Sequence, residues 1–187
     1  SSIAEIPQMK VSTLTVMSTR GEDQDLVLQT ATSLTQGQES AQSSATGPVL
    51  PCFGWHPWFS HQILDDTTGS PKTDESTSPI ELKKLHYKKV LTPEPDDDFI
   101  LSLPDPKPLS ELLSESRARL LAYPRSLVGE VGLDRAFRLP KAWTEEEKET
   151  RDERMTPGSR EGRQLSPYRV QLAHQKAVLE AQLRLAG

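Results

Sequence analysis

Cysteine is nearly absent from this chain: Cys52 is the single one among 187 residues, so an internal disulfide is excluded. Chains without disulfides fit a reducing compartment, and we expect the cytosol or the nucleus. No apolar run approaches the roughly 18 residues that a membrane-spanning helix needs. The first ten residues, SSIAEIPQMK, also lack the basic stretch followed by an apolar stretch that marks a signal peptide. We therefore expect neither a membrane protein nor a secreted one.

Apolar side chains and positive charge are both scarce. Apolar residues make up 34% of the chain, and even with glycine included the share stays below the roughly 45–50% that is usual in globular domains. The 15 prolines and several polar tracts predict a folded part interrupted by long irregular segments. A formal net charge of −5 argues against a surface that binds nucleic acid by charge alone. It leaves open a site whose positive charge comes from metal ions.

Strand-like and helix-like segments alternate along the chain. We predict strands over 11–17, 49–54 and 127–135, and helices over 22–34, 110–123 and 168–187, with Ser110 as the N-cap of the second helix. Alternation of this kind predicts an α/β fold with a parallel sheet built from strand–helix–strand units. In such sheets the residues just past the carboxyl ends of the strands line the active site.

Two insertions, at about 59–108 and 136–167, interrupt this order and read as irregular loops. The first contains Asp96, Asp97 and Asp98, which we interpret as solvated acids rather than a metal cluster. The second contains a tract of mixed charge over 145–154, typical of a solvent-exposed helix. Trp143 is expected to anchor the second insertion.

The stretch CFGWHPWF, residues 52–59, follows the second predicted strand. Gly54 lets the backbone turn, and Pro57 fixes the direction in which the chain leaves. His56 lies between them. It either belongs to a structural turn that is packed by tryptophans or lines a functional site, and the pattern alone leaves both interpretations open.

The stretch GEVGLD, residues 129–134, interrupts an apolar run with an acid. If it is a strand, alternation places Glu130 and Gly132 on one face. Burying a carboxylate costs several kcal/mol unless a cation or hydrogen-bond donors meet it. Glu130 therefore either holds a divalent ion or pairs with Arg135 or a backbone donor.

The two stretches together, GWHP after one strand and GEVGLD after the next, resemble the TatD family of metal-dependent hydrolases. That resemblance implies a (β/α)₈ TIM barrel and hydrolysis of phosphodiesters, since deoxyribonuclease activity is known for several members. It implies two divalent ions, with zinc, magnesium and manganese not distinguished. Glu130 would be a metal ligand shared between the two ions. His56, Asp134 and Arg135 would line the pocket, with Asp134 ordering the end of the strand.

The longer strings FGWHPWFSHQI and GEVGLDRAFRLP are most similar to a fungal branch of that family. One protein of this branch is named for its interaction with a subunit of the anaphase-promoting complex, which implies a partner in the cell-cycle machinery. In the family, the loop after the GEVGLD strand overhangs the active site. Arg135, Arg160 and Arg163 are therefore candidates for contacting the phosphate of DNA or of another phosphoester, and the alternative, which the pattern favours, is that they are surface charges that serve solubility.

The sequence also departs from the family pattern. The opening D-x-H-x-H and the later histidines and aspartate are absent, and His61, His86 and His174 are not expected to replace them. We expect about three of the eight strand–helix units, one partial domain over 1–187, and no activity in this stretch alone, which would be a truncated or degenerate relative. The alternative is a non-catalytic interaction protein whose insertions bind a partner. Open sheet edges further predict marginal stability and self-association.

Overall fold

The computed structural model describes residues 5–6, 9–40, 49–67, 77–150 and 163–186. The strands in these residues are β1 (Leu14–Met17), β2 (Val49–Phe53), β3 (Ile63–Leu64), β4 (Leu91–Thr92), β5 (Lys107–Pro108), β6 (Leu127–Val128) and β7 (Arg169–Val170). The helices are α1 (Gly21–Ser40), α2 (Pro79–Val90), α3 (Asp97–Ser102), α4 (Leu109–Ala122), α5 (Glu145–Thr150) and α6 (Leu172–Leu183). A 3₁₀ helix spans Pro57–Gln62.

Within the described residues, β1, β2 and β6 form a three-stranded parallel sheet in that order. Leu14 pairs with Val49 at one side of β2, and Cys52 pairs with Leu127 at the other. The predicted α/β class with a parallel sheet is confirmed. A sheet of this size does not test whether the strands belong to a (β/α)₈ barrel, and the barrel stays a prediction.

The third strand is much shorter than the predicted 127–135. It ends at Val128, and the last ladder bond runs from the Gly129 amide to the Phe53 carbonyl at 3.1 Å. Glu130 has φ of 55°, in the left-handed region, which an extended strand cannot contain. The prediction that Glu130 and Gly132 share a strand face is therefore wrong, because the GEVGLD stretch is a loop.

Much of the first insertion is regular, which corrects the prediction of an irregular loop. A capping box starts α2: the Ser78 hydroxyl accepts from the Glu81 amide, and the Glu81 carboxylate accepts from Ser78. The Asp96 carboxylate caps α3 by accepting from the Phe99 amide at 2.8 Å. Asp96 is exposed, as predicted, and in addition caps a helix, whereas Asp97 forms ion pairs with lysines of α2, as a surface acid does.

The two insertions pack against each other through a hydrophobic cluster that also includes Val170, just after the second insertion. Its buried members are Tyr87, Val90, Leu91, Ile100, Leu139 and Val170. The antiparallel pair β4–β7 closes one side of this cluster. A separate cluster lies under the 3₁₀ helix and comprises Trp55, Phe59, Ile63, Leu109, Leu112 and Val178. The mixed-charge tract is helical over α5, while its remainder lies outside the described residues.

Helix α4 begins at Leu109 and not after Ser110. The Ser110 amide donates to Oδ1 of Asp66 at 2.9 Å, so a carboxylate from the loop after β3 caps the helix in place of a local side chain. Leu109 and Leu112 are buried as expected, but Leu121 is 74% exposed, so the predicted apolar face is not buried along its whole length. Among the described helices, none is long and apolar enough to cross a membrane.

Candidate functional site

The two motif stretches meet where the adjacent strands β2 and β6 end. The end of β1 holds the first of them in place: the Ser18 hydroxyl accepts from the Gly54 amide at 3.1 Å, and the Thr19 carbonyl accepts from the His56 amide at 2.8 Å. Because the three strands are parallel, their carboxyl ends lie at one edge of the sheet. This edge is where ligands bind in sheets of this kind.

Close backbone contact at this edge requires two of the motif glycines. A Cβ on Gly54 would lie 2.0 Å from the Gly129 carbonyl oxygen. A Cβ on Gly129 would lie 2.1 Å from Sγ of Cys52. Gly132 has nothing within 4 Å of the corresponding position. The first two glycines therefore let the motifs touch, whereas Gly132 borders open space.

His56 lies close enough to Glu130 for the Glu130 charge to affect the pKa of its ring. Its Nδ1 accepts from the Trp58 amide at 3.3 Å, so the neutral ring carries its proton on Nε2. The ring meets the Trp58 indole edge-on, with centroids 4.6 Å apart. Burial lowers the pKa of His56, and the charges of Glu130 and Asp134 partly oppose that shift. His56 is thus mostly neutral at pH 7, and its role in lining a pocket stays a prediction.

Glu130 is half-buried in a strained backbone conformation. A residue other than glycine at positive φ costs on the order of 1–3 kcal/mol, and such positions concentrate at functional sites. Burial raises the pKa of the neighbouring Cys52 thiol, and the Glu130 charge raises it further. The Glu130 carboxylate forms no hydrogen bond or ion pair with the residues that the structure describes. Arg135, which the sequence offers as a partner for it, is exposed. The role of Glu130 as a metal ligand stays a prediction.

Asp134 connects the two motifs. Its Oδ2 accepts from Nε1 of Trp58 at 2.6 Å, and its Oδ1 accepts from the amides of Ala136 and Phe137 at 2.7 and 2.9 Å. The Trp58 bond, followed by the two amide bonds, keeps the pKa of Asp134 below its usual value despite partial burial. The ionised Asp134 carboxylate accepts three hydrogen bonds and so holds the GEVGLD loop against Trp58.

Two buried glutamines of α6 hold both motifs, and the sequence analysis missed them. Gln182 accepts from the Trp55 amide at 2.7 Å and donates to the Trp55 carbonyl at 3.3 Å. Gln175 does the same for Asp134, at 2.8 and 2.9 Å. The two glutamines lie seven residues apart, on one face of the helix with Val178 between them. The spacing of seven residues is the signal in the sequence that could have identified them. They were missed because polar residues on a helix are normally assigned to the face exposed to solvent.

Three further histidines lie in or beside the 3₁₀ helix, and each donates to a carbonyl of that segment. Nδ1 of His61 donates to the Trp58 carbonyl at 2.9 Å, Nε2 of His86 to the His61 carbonyl at 2.7 Å, and Nε2 of His174 to the Ser60 carbonyl at 2.9 Å. Burial lowers all three pKa values, that of His61 to about 3 and that of His86 to about 4. In this arrangement they are structural donors.

The described residues do not fit a complete metal centre. Nowhere in the described ranges do three or more His, Cys, Asp or Glu side chains form a group that could hold a metal ion. Glu130 offers a carboxylate, but the acceptor nitrogen of His56 is engaged by Trp58 and the Asp134 oxygens are engaged by three donors. A catalytic zinc site needs about three protein ligands. No chemical step through a metal is derived from these residues.

Of the three candidate phosphate contacts, the structure describes Arg135 and Arg163. Arg135 is exposed, and Arg160 lies outside the described residues. The Arg163 guanidinium lies 5.8 Å from the centroid of the Trp143 ring, so these two residues contact each other across the second insertion.

Comparison with known proteins confirms the resemblance to the fungal proteins. The chain is 41% identical over 182 residues to the Cut9-interacting protein scn1 of Schizosaccharomyces pombe, an alignment that covers 97% of the chain and 47% of that protein. It is 29% identical over 152 residues to a Saccharomyces cerevisiae protein named as an uncharacterized deoxyribonuclease, covering 79% of the chain and 39% of that protein. The chain thus spans less than half the length of the curated relatives it matches. No family model matches the chain, and no solved structure matches it.

Proposed function

We propose that this chain forms part of the active-site wall of a TatD-like metal-dependent hydrolase that acts on phosphodiesters. The single observation that supports the proposal most strongly is the Glu130 carboxylate. It lies beside His56 at the carboxyl ends of two adjacent parallel strands, in a strained backbone, and forms no bond with the described residues. A strained acid without a partner at such an edge is what a ligand site requires.

In the proposed role, Glu130 supplies one ligand to a divalent ion, and the other ligands come from residues other than those described. His56, held neutral by burial, lines the pocket, and Asp134 fixes the loop that carries Glu130. The relative that is named a deoxyribonuclease supports the substrate class. Zinc, magnesium and manganese all remain candidates for the metal.

The test uses the full natural protein, because the curated relatives are more than twice as long as the stretch they share with this chain. Hydrolysis of bis(p-nitrophenyl) phosphate with Mn²⁺ or Zn²⁺ is measured alongside metal binding by calorimetry. We expect Glu130→Gln to reduce the rate at least 100-fold and to weaken metal binding. Glu180→Gln removes an exposed acid of α6 and serves as the matched control. Unchanged hydrolysis and metal binding in Glu130→Gln would reject the proposal.

A second candidate function is binding of a protein partner of the cell-cycle machinery. The fission yeast relative is named for an interaction with Cut9. The packed helices α2 and α3 expose Ile80, Leu85 and Leu101 at 57%, 62% and 50%. Apolar side chains exposed to this extent on neighbouring helices suit a protein contact. Co-precipitation with the Cut9 counterpart of the same cell should be lost in Leu85→Lys and retained in Glu130→Gln if this candidate is correct.

A further inference from the structure

Helix α6 contacts the candidate site through one face. Because each residue turns an α-helix by about 100°, His174, Gln175, Val178 and Gln182 lie within about 100° of one another around its axis. Val178 packs into the hydrophobic cluster under the 3₁₀ helix, and His174 donates to the Ser60 carbonyl in that helix at 2.9 Å. The two glutamines are each 3% exposed, so their amides serve the protein interior and not solvent.

Each glutamine holds one residue of a motif stretch at both of its backbone groups. Gln182 bonds the amide and the carbonyl of Trp55, the residue directly before His56. Gln175 bonds the amide and the carbonyl of Asp134, four residues after Glu130. A residue that is bonded in this way cannot rotate or shift without breaking a buried hydrogen bond, which is costly.

The loop that carries Glu130 is attached at its two ends. At its start, the Gly129 amide donates to the Phe53 carbonyl at 3.1 Å. At its end, Gln175 and the Asp134 carboxylate hold the chain. Between these points, residues 130–133 form no backbone hydrogen bond with the part of the chain that the structure describes. The place of Glu130 therefore depends on where Asp134 is held.

One helix carries both attachments. The two glutamines lie seven residues apart, which is about 10.5 Å along the axis of an α-helix. The helix thus fixes the separation of Trp55 and Asp134, and with it the separation of the His56 turn and the Glu130 loop. Reaction rates respond to such distances, since a displacement of about 1 Å costs on the order of 100-fold.

We propose that Gln175 and Gln182 are positioning residues, which use the rigid helix α6 to fix the Glu130 loop relative to the His56 turn. Neither glutamine forms a hydrogen bond with the side chain of Glu130 or of His56, so both act through the backbone of the motif stretches. The inference rests on the proposed function, in which Glu130 binds a divalent ion, and deepens it by naming the residues that hold this ligand in place. Active sites need such support from residues behind the reacting groups.

The first test measures hydrolysis of bis(p-nitrophenyl) phosphate with Mn²⁺ by the full natural protein. Gln175→Asn keeps the amide group but is one methylene shorter, so it cannot keep both bonds unless the loop moves. We expect kcat to fall at least tenfold with little change in KM. Tyr87→Phe is the matched control, because it removes a buried hydrogen bond of 2.6 Å to the Pro104 carbonyl in the other hydrophobic cluster. Its kcat should be unchanged, and near-ultraviolet circular dichroism confirms that both variants are folded.

A double-mutant cycle separates positioning from a general loss of structure. If Gln175 acts by placing Glu130, then Gln175→Asn should reduce the rate no further in a protein that already carries Glu130→Gln. Rate losses that multiply would overturn the inference, as would an unchanged kcat in both Gln175→Asn and Gln182→Asn.

Hydrogen exchange provides a readout that needs neither metal nor activity. In EDTA, Gln175→Asn should accelerate amide exchange over 129–135, and Gln182→Asn over 54–59, each at least tenfold beyond any change in Tyr87→Phe. Exchange that is unchanged in both segments would overturn the inference. Faster exchange in a protein whose parent form hydrolyses no phosphodiester would instead reject the hydrolase proposal and leave the holding role of α6 established.

Discussion

The indole Nε1 of Trp58 donates a hydrogen bond of 2.6 Å to Oδ2 of Asp134, although the two residues are 76 positions apart. The other oxygen of the same carboxylate accepts from the Phe137 amide, and the Phe137 ring stacks on Trp58. The Trp58–Asp134 bond, the Phe137–Asp134 bond and the Trp58–Phe137 stack therefore join the GWHP stretch to the GEVGLD stretch. The position of Glu130 relative to His56 depends on this connection.

Replacing Trp58 by Phe should destabilise the protein by about 1.5–3 kcal/mol, the usual contribution of a hydrogen bond to a charged group. The phenyl ring retains much of the stack but offers no donor to Asp134. A double-mutant cycle with Asp134→Asn, measured by urea unfolding, should give a coupling energy of about 1 kcal/mol or more. Trp143→Phe is the control, since the Trp143 ring contacts Arg163 instead. Strictly additive effects would show that the bond contributes nothing.

The motif glycines should differ sharply in their tolerance of alanine. Gly54→Ala and Gly129→Ala place a methyl group 2.0 and 2.1 Å from a carbonyl oxygen and a sulfur atom, so the backbone must shift. We expect each to lower the free energy of unfolding by at least about 1–3 kcal/mol, as overpacking does. Gly132→Ala meets nothing within 4 Å and should be nearly neutral. Equal effects at the three positions in thermal melts would contradict this account.

The sequence predicted the ends of β2 and of α4 to within two residues because those boundaries depend on local signals. Apolar runs, prolines and glycines act on the backbone within a few residues and are visible in a single chain. The same signals placed His56 after the second strand, which is where the structure has it, whereas Glu130 was predicted inside the third strand and lies after it. Strand alternation failed at Glu130 because the strand ends at Val128 and Glu130 has a positive φ. The adjacent close contact between Gly54 and Gly129 joins residues 75 positions apart, which local signals do not reveal.

Contacts made by polar side chains over long sequence distances were not predictable. The capping of α4 by Asp66 and the burial of Gln175 and Gln182 all satisfy backbone groups of remote segments. Periodicity assigns such residues to solvent, because it counts polarity and not hydrogen-bond partners. The second hydrophobic cluster was missed for a related reason: its residues come from the two insertions and from Val170 just after the second, and each insertion is too polar to indicate a core alone.

The glutamines of α6 should be essential for stability. Gln182→Met keeps a side chain of similar length but leaves the amide and the carbonyl of Trp55 without their partner. Each buried unsatisfied group costs about 1–3 kcal/mol, so we expect a loss of about 2–4 kcal/mol in urea unfolding. Lys176→Met, on the exposed side of the same helix, is the control and should change the unfolding free energy by less than about 0.5 kcal/mol. A similar loss of stability in both variants would show that the effect comes from changing the helix and not from losing the hydrogen bonds between Gln182 and Trp55.

The buried histidines should make the protein acid-sensitive well above the range in which carboxylates titrate. Burial lowers the pKa of His61 to about 3 and that of His86 to about 4, whereas both have a pKa of about 6.5 when unfolded. The unfolded chain therefore binds more protons between these values, so the stability is full above about pH 6.5 and falls as the pH drops toward 4. Each of these histidines should cost about 2 kcal/mol between pH 7.5 and pH 5.

Urea unfolding at pH 7.5, 6.5, 5.5 and 5.0 measures this loss. His86→Gln keeps a donor for the His61 carbonyl but does not titrate, so its curve should be flatter by about 2 kcal/mol over the same range. Lys89 lowers the pKa of both His86 and His174, whereas Asp65 raises that of His174, so Lys89→Gln should raise the folded-state pKa of both rings toward the unfolded value and make the loss of stability at low pH smaller. Lys176→Gln removes a distant exposed charge and should leave the curve unchanged. Because a structural donor must stay neutral to remain buried, a pH dependence that is the same in His86→Gln and in the parent would mean that the ring is charged or exposed in the folded state.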